Sequence, residues 1–224
     1  MRRFLRENSL GLVFGLLFVI VLIGQAIAGH ADFNQRQLTE GLDPVSFWRY
    51  VSSASFGVDV AENWQSEYLQ FFLYIYLTVW LVQKGSPESK ELDKPGRESD
   101  QEQKVVRYAE EDSPKWARAR GLRLSLFSNS LGLVMGVLFL LSWLAQSIAG
   151  TAAFKEEQLG NLEDPVSWPQ YLIEPDFWNR TLQNWQSELL AVASMAILSM
   201  YLRQRGSSQS KPVGSPHTTT GVEG

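Results

Sequence analysis

From Asn8 to Ala31 the chain has no charged side chain, and "LGLVFGLLFVIVLIGQAIAG" at 10–29 is apolar on every face of a helix. A near copy, "LGLVMGVLFLLSWLAQSIAG", fills 131–150 inside a second uncharged stretch, 124–154. Runs of this length and uniformity predict membrane-spanning helices. Two shorter apolar runs follow the same five letters, "NWQSE": "YLQFFLYIYLTVWLV" at 68–82 and "LLAVASMAILSMYL" at 189–202. Fifteen residues rise only about 22 Å as a helix, against roughly 30 Å of hydrocarbon. A span there draws "NWQSE" into the membrane edge, so spans are expected near 10–28, 64–82, 131–149 and 185–202. The first run, behind Arg2, Arg3 and Arg6 and ending in "AIAG", also fits a cleaved signal peptide. Its copy lies in mid-chain, where no signal peptide sits.

Residues 8–90 align with 129–211 without a gap, and 36 of the 83 pairs are identical. Each copy reads as span, outer loop, span. Because each copy has an even number of spans, both take the same orientation, the parallel type of internal repeat. In the loops, Asp43-Pro44 and Asp164-Pro165 read as an N-cap followed by Pro at the first helical position. The residues after them, "VSFWRYV" and "VSWPQYL", predict short interfacial helices; the alternative is an aromatic-rich loop without a helix. The expected fold is therefore an all-α membrane protein of four transmembrane helices, two tandem parallel two-helix repeats with short interfacial helices in the outer loops. Its parts are a first repeat at 1–83, a disordered cytoplasmic linker at 84–115, a second repeat at 116–205 with a preceding juxtamembrane helix, and a disordered cytoplasmic tail at 206–224. Linker and tail are polar and poor in large apolar residues, which is why disorder is expected there. The segment "WARARGLRLSLFSNS" reads as the juxtamembrane amphipathic helix, either a positive-inside anchor or a lipid-responsive switch.

Charge sets the orientation. Sixteen of the 20 Lys and Arg residues fall at the N-terminus, in 83–128 and in the tail; the outer loops hold Arg36, Arg49, Lys155 and Arg180. By the positive-inside rule both termini and the linker are cytoplasmic. The outer loops are acidic, which excludes nucleic acid as a partner and leaves cations or basic surfaces open. The chain has no cysteine, which excludes disulfides and thiolate chemistry.

The candidate chemistry sits at the outer membrane edge. Trp64 and Trp185 fall where amphipathic rings anchor at the headgroups. Glu67 and Glu188 lie about one turn deeper, where a carboxylate faces the bundle rather than lipid. Gln25 and Gln146 stand at a matching level on the partner spans. Two readings stay open for the belt of Gln25, Asn63, Gln65 and Glu67 opposite Gln146, Asn184, Gln186 and Glu188. One is structural, interhelical hydrogen bonds; the other is a cation or proton site between two carboxylates. The GxxxG pairs Gly11/Gly15 and Gly132/Gly136 predict close crossing of spans one and three, or a homodimer contact. His30 is matched by Thr151 and reads as a surface residue, as does His217. No catalytic set, metal site or cofactor site is expected. The partners expected are the lipid bilayer and a second copy or another membrane protein.

The combination "NSLGLV", "Q.IAG", "DPVS", "NWQSE" and "GSPESK" resembles a family of small bacterial membrane proteins known only as a domain of unknown function. The resemblance implies a multi-pass protein of the bacterial cytoplasmic membrane and supplies no activity or catalytic residue. In the second copy "GSPESK" becomes "GSSQSK", leaving helix termination at Gly85 and Gly206 as the expected role of that motif. Function is read first as structural or as interaction within the membrane. The alternative is a small cation or proton conduit or transporter component using Glu67 and Glu188, with a membrane enzyme third.

Overall fold

The computed structural model describes residues 1–221, the side chain of Arg2 apart, and among them there is no strand. The helices are α1 (Arg2–Glu7), α2 (Ser9–Thr39), α3 (Phe47–Val51), α4 (Ala54–Leu77), α5 (Leu122–Ser128), α6 (Ser130–Gly160), α7 (Trp168–Tyr171) and α8 (Pro175–Tyr201). Two of them, α2 and α6, are long and apolar enough to cross a membrane, with mean hydropathy 2.7 and 2.0 over their most apolar windows. The second span of each copy differs from expectation. Helix α4 stops at Leu77 rather than near 82, because its last turn tightens into shorter-range bonds, Val79 N to Tyr76 O at 3.3 Å and Trp80 N to Leu77 O at 3.1 Å. Half of α4 and of α8 is the polar stretch through "NWQSE", so neither combines length with uniform apolarity.

The "NS" of "NSLGLV" is a repeated helix break. Asn8 and Asn129 leave helical geometry (φ −117°, ψ 15° and φ −114°, ψ 9°), which separates α1 from α2 and α5 from α6. Each amide side chain donates back one turn, Asn8 Nδ2 to Phe4 O at 2.9 Å and Asn129 Nδ2 to Ser125 O at 2.7 Å. A short polar side chain that bonds its own backbone competes with the helical ladder at that point. The expected juxtamembrane helix is broken as well. It is a 3₁₀ turn at Lys115–Arg118, then Gly121 in the left-handed region (φ 61°), then α5. Residues 84–115, where composition predicts disorder, run as turns with one further 3₁₀ turn at Val106–Tyr108.

The compact units do not follow the repeat boundary. One consists of Met1–Val60 with Ala145–Tyr171, the other of Ala61–Leu144 with Leu172–Gly224, so each draws on both copies.

In the first unit the short loop helices exist, but they begin three residues later than the Asp-Pro pairs. Ser46 is the N-cap of α3, its Oγ accepting from Arg49 N at 3.4 Å. In the second copy Ser167 N donates to Gln170 Oε1 at 2.7 Å, the return half of a capping box. The extended Asp-Pro-Val is held from α2 and α6 by amides. Val45 N donates to Asn34 Oδ1 at 2.8 Å, and its counterpart Val166 N donates to Gln158 Oε1 at 2.9 Å. His30 is half-buried rather than a surface residue, with Nε2 2.8 Å from Val45 O and its ring edge-on to Phe47.

Each loop helix then drives a tyrosine into the core. Tyr50 and Tyr171 are 3% and 0% exposed. Their hydroxyl ends occupy the space where Gly29 and Gly150 lack a Cβ, and their rings lie 5.4 and 5.5 Å from Phe33 and Phe154. Burial holds the Tyr50 phenol above its ordinary value, and the charge of Asp59 adds to this. Gly29→Val and Gly150→Val therefore each force a methyl-bearing carbon into a ring. Each is expected to destabilise the fold by about 1–3 kcal/mol, read as an earlier thermal transition by circular dichroism in micelles. Gly11→Val, where no described atom lies within 4 Å of an added Cβ, should leave the transition in place.

Candidate functional site

The second unit contains both copies of "NWQSE", and the two copies bury different faces. In α4 the inward positions are Ala61, Gln65, Ser66 and Leu69; Asn63, Trp64 and Glu67 are exposed. In α8 the inward positions are Phe177 and Thr181, with Asn184, Trp185 and Glu188 half-buried and Gln186 exposed. The second set corresponds to 56, 60, 63, 64 and 67 in the first copy. The same letters are thus turned by one residue, about 100° of a helix. That rotation lets the copies meet heterologously: Trp185 Nε1 donates to Gln65 Oε1 at 2.8 Å, and Gln65 is fully buried.

The expected belt is corrected accordingly. Asn63, Glu67 and Gln186 face outward, and no symmetric ring of eight polar residues forms. Gln25 (half-buried) and Gln146 (buried) belong to the first unit, apart from the other six. Of the two expected anchors, Trp64 is 41% exposed and keeps an outward position. Trp185 is instead an inward residue, its indole N–H spent on Gln65. Gln70 Nε2 reaches Glu188 O at 3.5 Å, and the charge of Glu67 bears on Glu188.

The glycine pairs are corrected too. Gly132 and Gly136 face rings of α4 instead of Gly11 and Gly15: an added Cβ would lie 2.5 Å from Tyr76 Cε2 and 2.9 Å from Phe72 Cε2 respectively. A flat ring fills a glycine groove as completely as a second helix would, and the bulky face of α4 supplies one. Phe72 and Tyr76 are 4.9 Å apart and pack as a pair.

Two features escaped the sequence reading. Trp143 lies nearly parallel to Phe139 and Phe177, at 5.6 and 6.1 Å, with Trp185 and Trp178 at 5.8 and 6.2 Å. Its counterpart is Leu22 and that of Trp178 is Gly57, so the repeat concealed an aromatic cluster specific to the second copy. Next to it Arg180 bridges α8 and α4, with Nη1 3.3 Å from Glu62 Oε2 and Nε 3.3 Å from both Asp176 oxygens. The Asp176/Arg180 spacing of four was the available signal for half of this network. Among the described residues no group of three His, Asp or Glu side chains could hold a metal ion. Indole, amide, guanidinium and carboxylate are arranged here to join helices; no nucleophile faces a base.

A family model described as "Domain of unknown function (DUF6766)" matches residues 1–222. The chain belongs to this family. No curated protein and no solved structure matches it. For the DUF6766 chain the Gln65–Trp185 bond is thus the central element of the candidate site. Gln65→Leu leaves a buried indole N–H without its acceptor, at a cost of about 1–3 kcal/mol. Gln186→Leu, at the equivalent but exposed position, should be within about 0.5 kcal/mol of neutral. Urea unfolding followed by tryptophan fluorescence separates the two; equal effects would mean that the faces are not rotated.

Proposed function

We propose that this DUF6766 protein is a four-span protein of a bacterial cytoplasmic membrane and acts as a structural or interaction component there. One observation carries the membrane assignment. Leu16, Leu17, Phe18, Val19 and Ile20 are five consecutive residues of α2, each about half exposed or more. Five consecutive positions pass right round a helix, so no single packing face accounts for them. Only Ala26 is buried in the whole of α2. Lipid covers such a surface in this reading. The ends of α4 and α8 extend the argument to four spans, with Phe71, Leu77, Trp80 and Leu81, and Leu189, Leu190, Ile197 and Leu198, turned outward. The role as a component rather than a catalyst follows from the site, whose polar groups are spent on one another.

The distribution of Lys and Arg places both termini and the 83–128 segment on the cytoplasmic side in this proposal. Reporter fusions at residues 45 and 165 should read outside, and at 100 and 215 inside. An outside reading at residue 100 rejects four spans in favour of two.

The nearness of Glu67 and Glu188 favours one second reading, a small cation or proton conduit. Glu67→Gln together with Glu188→Gln distinguishes the two. A component whose carboxylates are incidental keeps its abundance and partners, with proteoliposome proton and cation flux at background before and after the change. A conduit shows flux in the parent protein and loses it in the double variant.

A further inference from the structure

Just beyond α4 and α8 the chain repeats one more pattern, "QKGSPESK" at Gln83–Lys90 and "QRGSSQSK" at Gln204–Lys211. Both copies fold into the same turn. Gly85 and Gly206 occupy the left-handed region, φ 87° and 81°, where a side chain would be strained. Ser86 N donates to Gln83 O at 3.1 Å, and Ser207 N to Gln204 O at 3.2 Å. The second serine closes the loop. Ser89 Oγ accepts from Gln83 N at 2.8 Å and Ser210 Oγ from Gln204 N at 2.9 Å, and each donates to the carbonyl of the following lysine. The conserved letters between the copies are thus the ones the turn uses.

The first turn is occupied. Gly85 N donates to Thr220 Oγ1 at 2.9 Å, Gly221 N donates to Ser86 O at 3.1 Å, and Lys211 Nζ donates to Gly85 O at 2.5 Å. Lys211 is 1% exposed, and its ammonium also reaches His217 O at 2.9 Å and Thr219 O at 3.1 Å. The two lysines of the pattern differ in what they hold. Lys90 stays local, 2.8 Å from Gly96 O and 2.7 Å from Glu98 Oε1. Lys211 joins its own turn to the other one and to the residues that follow it.

We propose that the Gln83–Lys90 turn is a recognition surface for an extended peptide, and that its occupant is the chain's own segment 215–221, fastened by the Lys211 ammonium. An ammonium has three donors and no acceptor, so a pocket of backbone carbonyls suits it and suits no neutral apolar side chain. The groups of the turn that meet the segment, Gly85 N, Gly85 O and Ser86 O, are main-chain groups. The surface therefore reads an extended backbone more than particular side chains. Its effect is to tie the end of the first copy's second helix to the end of the second copy, across more than a hundred residues of sequence.

The chain's lack of cysteine makes the test direct. In the full-length protein, Ser86→Cys with Thr220→Cys should form a cross-link within one chain under mild oxidation. Adding Lys211→Met should slow it about tenfold, the loss expected for removing a charged donor from several acceptors. Adding Lys90→Met should leave it within about twofold. A cross-link found only between chains, no cross-link, or one indifferent to Lys211→Met overturns the proposal. Hydrogen exchange on the cysteine-free protein gives a second measurement that needs no engineered thiol. The amides of Gly85 and Gly221 should be protected and lose protection in Lys211→Met, whereas fast exchange at Gly221 in the parent protein also overturns it.

Discussion

An aromatic ring laid into the space a glycine leaves open is the contact on which both units depend. Tyr50 meets Gly29 and Tyr171 meets Gly150 in the first unit; Tyr76 meets Gly132 and Phe72 meets Gly136 in the second. A helix without a Cβ at one position presents its own backbone, and a flat ring then makes many dispersion contacts at once. The arrangement is also selective. In the loops it fixes where α3 and α7 come to rest, because the tyrosine must reach a particular turn of α2 or α6. The serine caps and the amide hooks on Val45 and Val166 set the direction of approach, and the ring–glycine contact sets the depth.

Duplication supplied two copies of each part, but the copies are not used alike. A one-residue turn of the "NWQSE" face puts Gln65 inside in one copy and Trp185 inside in the other, and the two then bond to each other. Equivalent residues meeting across a two-fold axis would have given a ring of amides and paired carboxylates. Non-equivalent residues meeting give one satisfied indole–amide bond and an ion network around Arg180 that only the second copy can build. Trp143 and Trp178 replace Leu22 and Gly57, and with them the second copy acquired an aromatic cluster the first lacks. Divergence of this kind suits a component that holds one specific arrangement.

The repeats were legible from residue identity alone, since a gap-free register over 83 positions needs no structure to detect. The short loop helices were legible from their apolar pattern, but their starting points were not. Asp-Pro has the chemistry of a helix start, yet Ser46 and Ser167 serve as the caps because the Asp-Pro-Val stretch is held extended by side chains far away in sequence. His30 looked idle for the same reason: its partner, the carbonyl of Val45, carries no signature in the letters.

Sequence by itself determined the two long apolar helices, the duplication, the breaks at Asn8 and Asn129 and the left-handed glycines. Each of these is fixed by residue properties acting within a few positions of one another. Tertiary structure alone decided which face of each "NWQSE" turns inward, that Gly132 and Gly136 receive rings instead of glycines, and that Lys211 reaches the carbonyl of Gly85. A helix carrying polar and apolar groups on several faces has more than one acceptable rotation. The choice among them rests on the shapes of rings and the positions of acceptors from distant parts of the chain, and no local pattern records those.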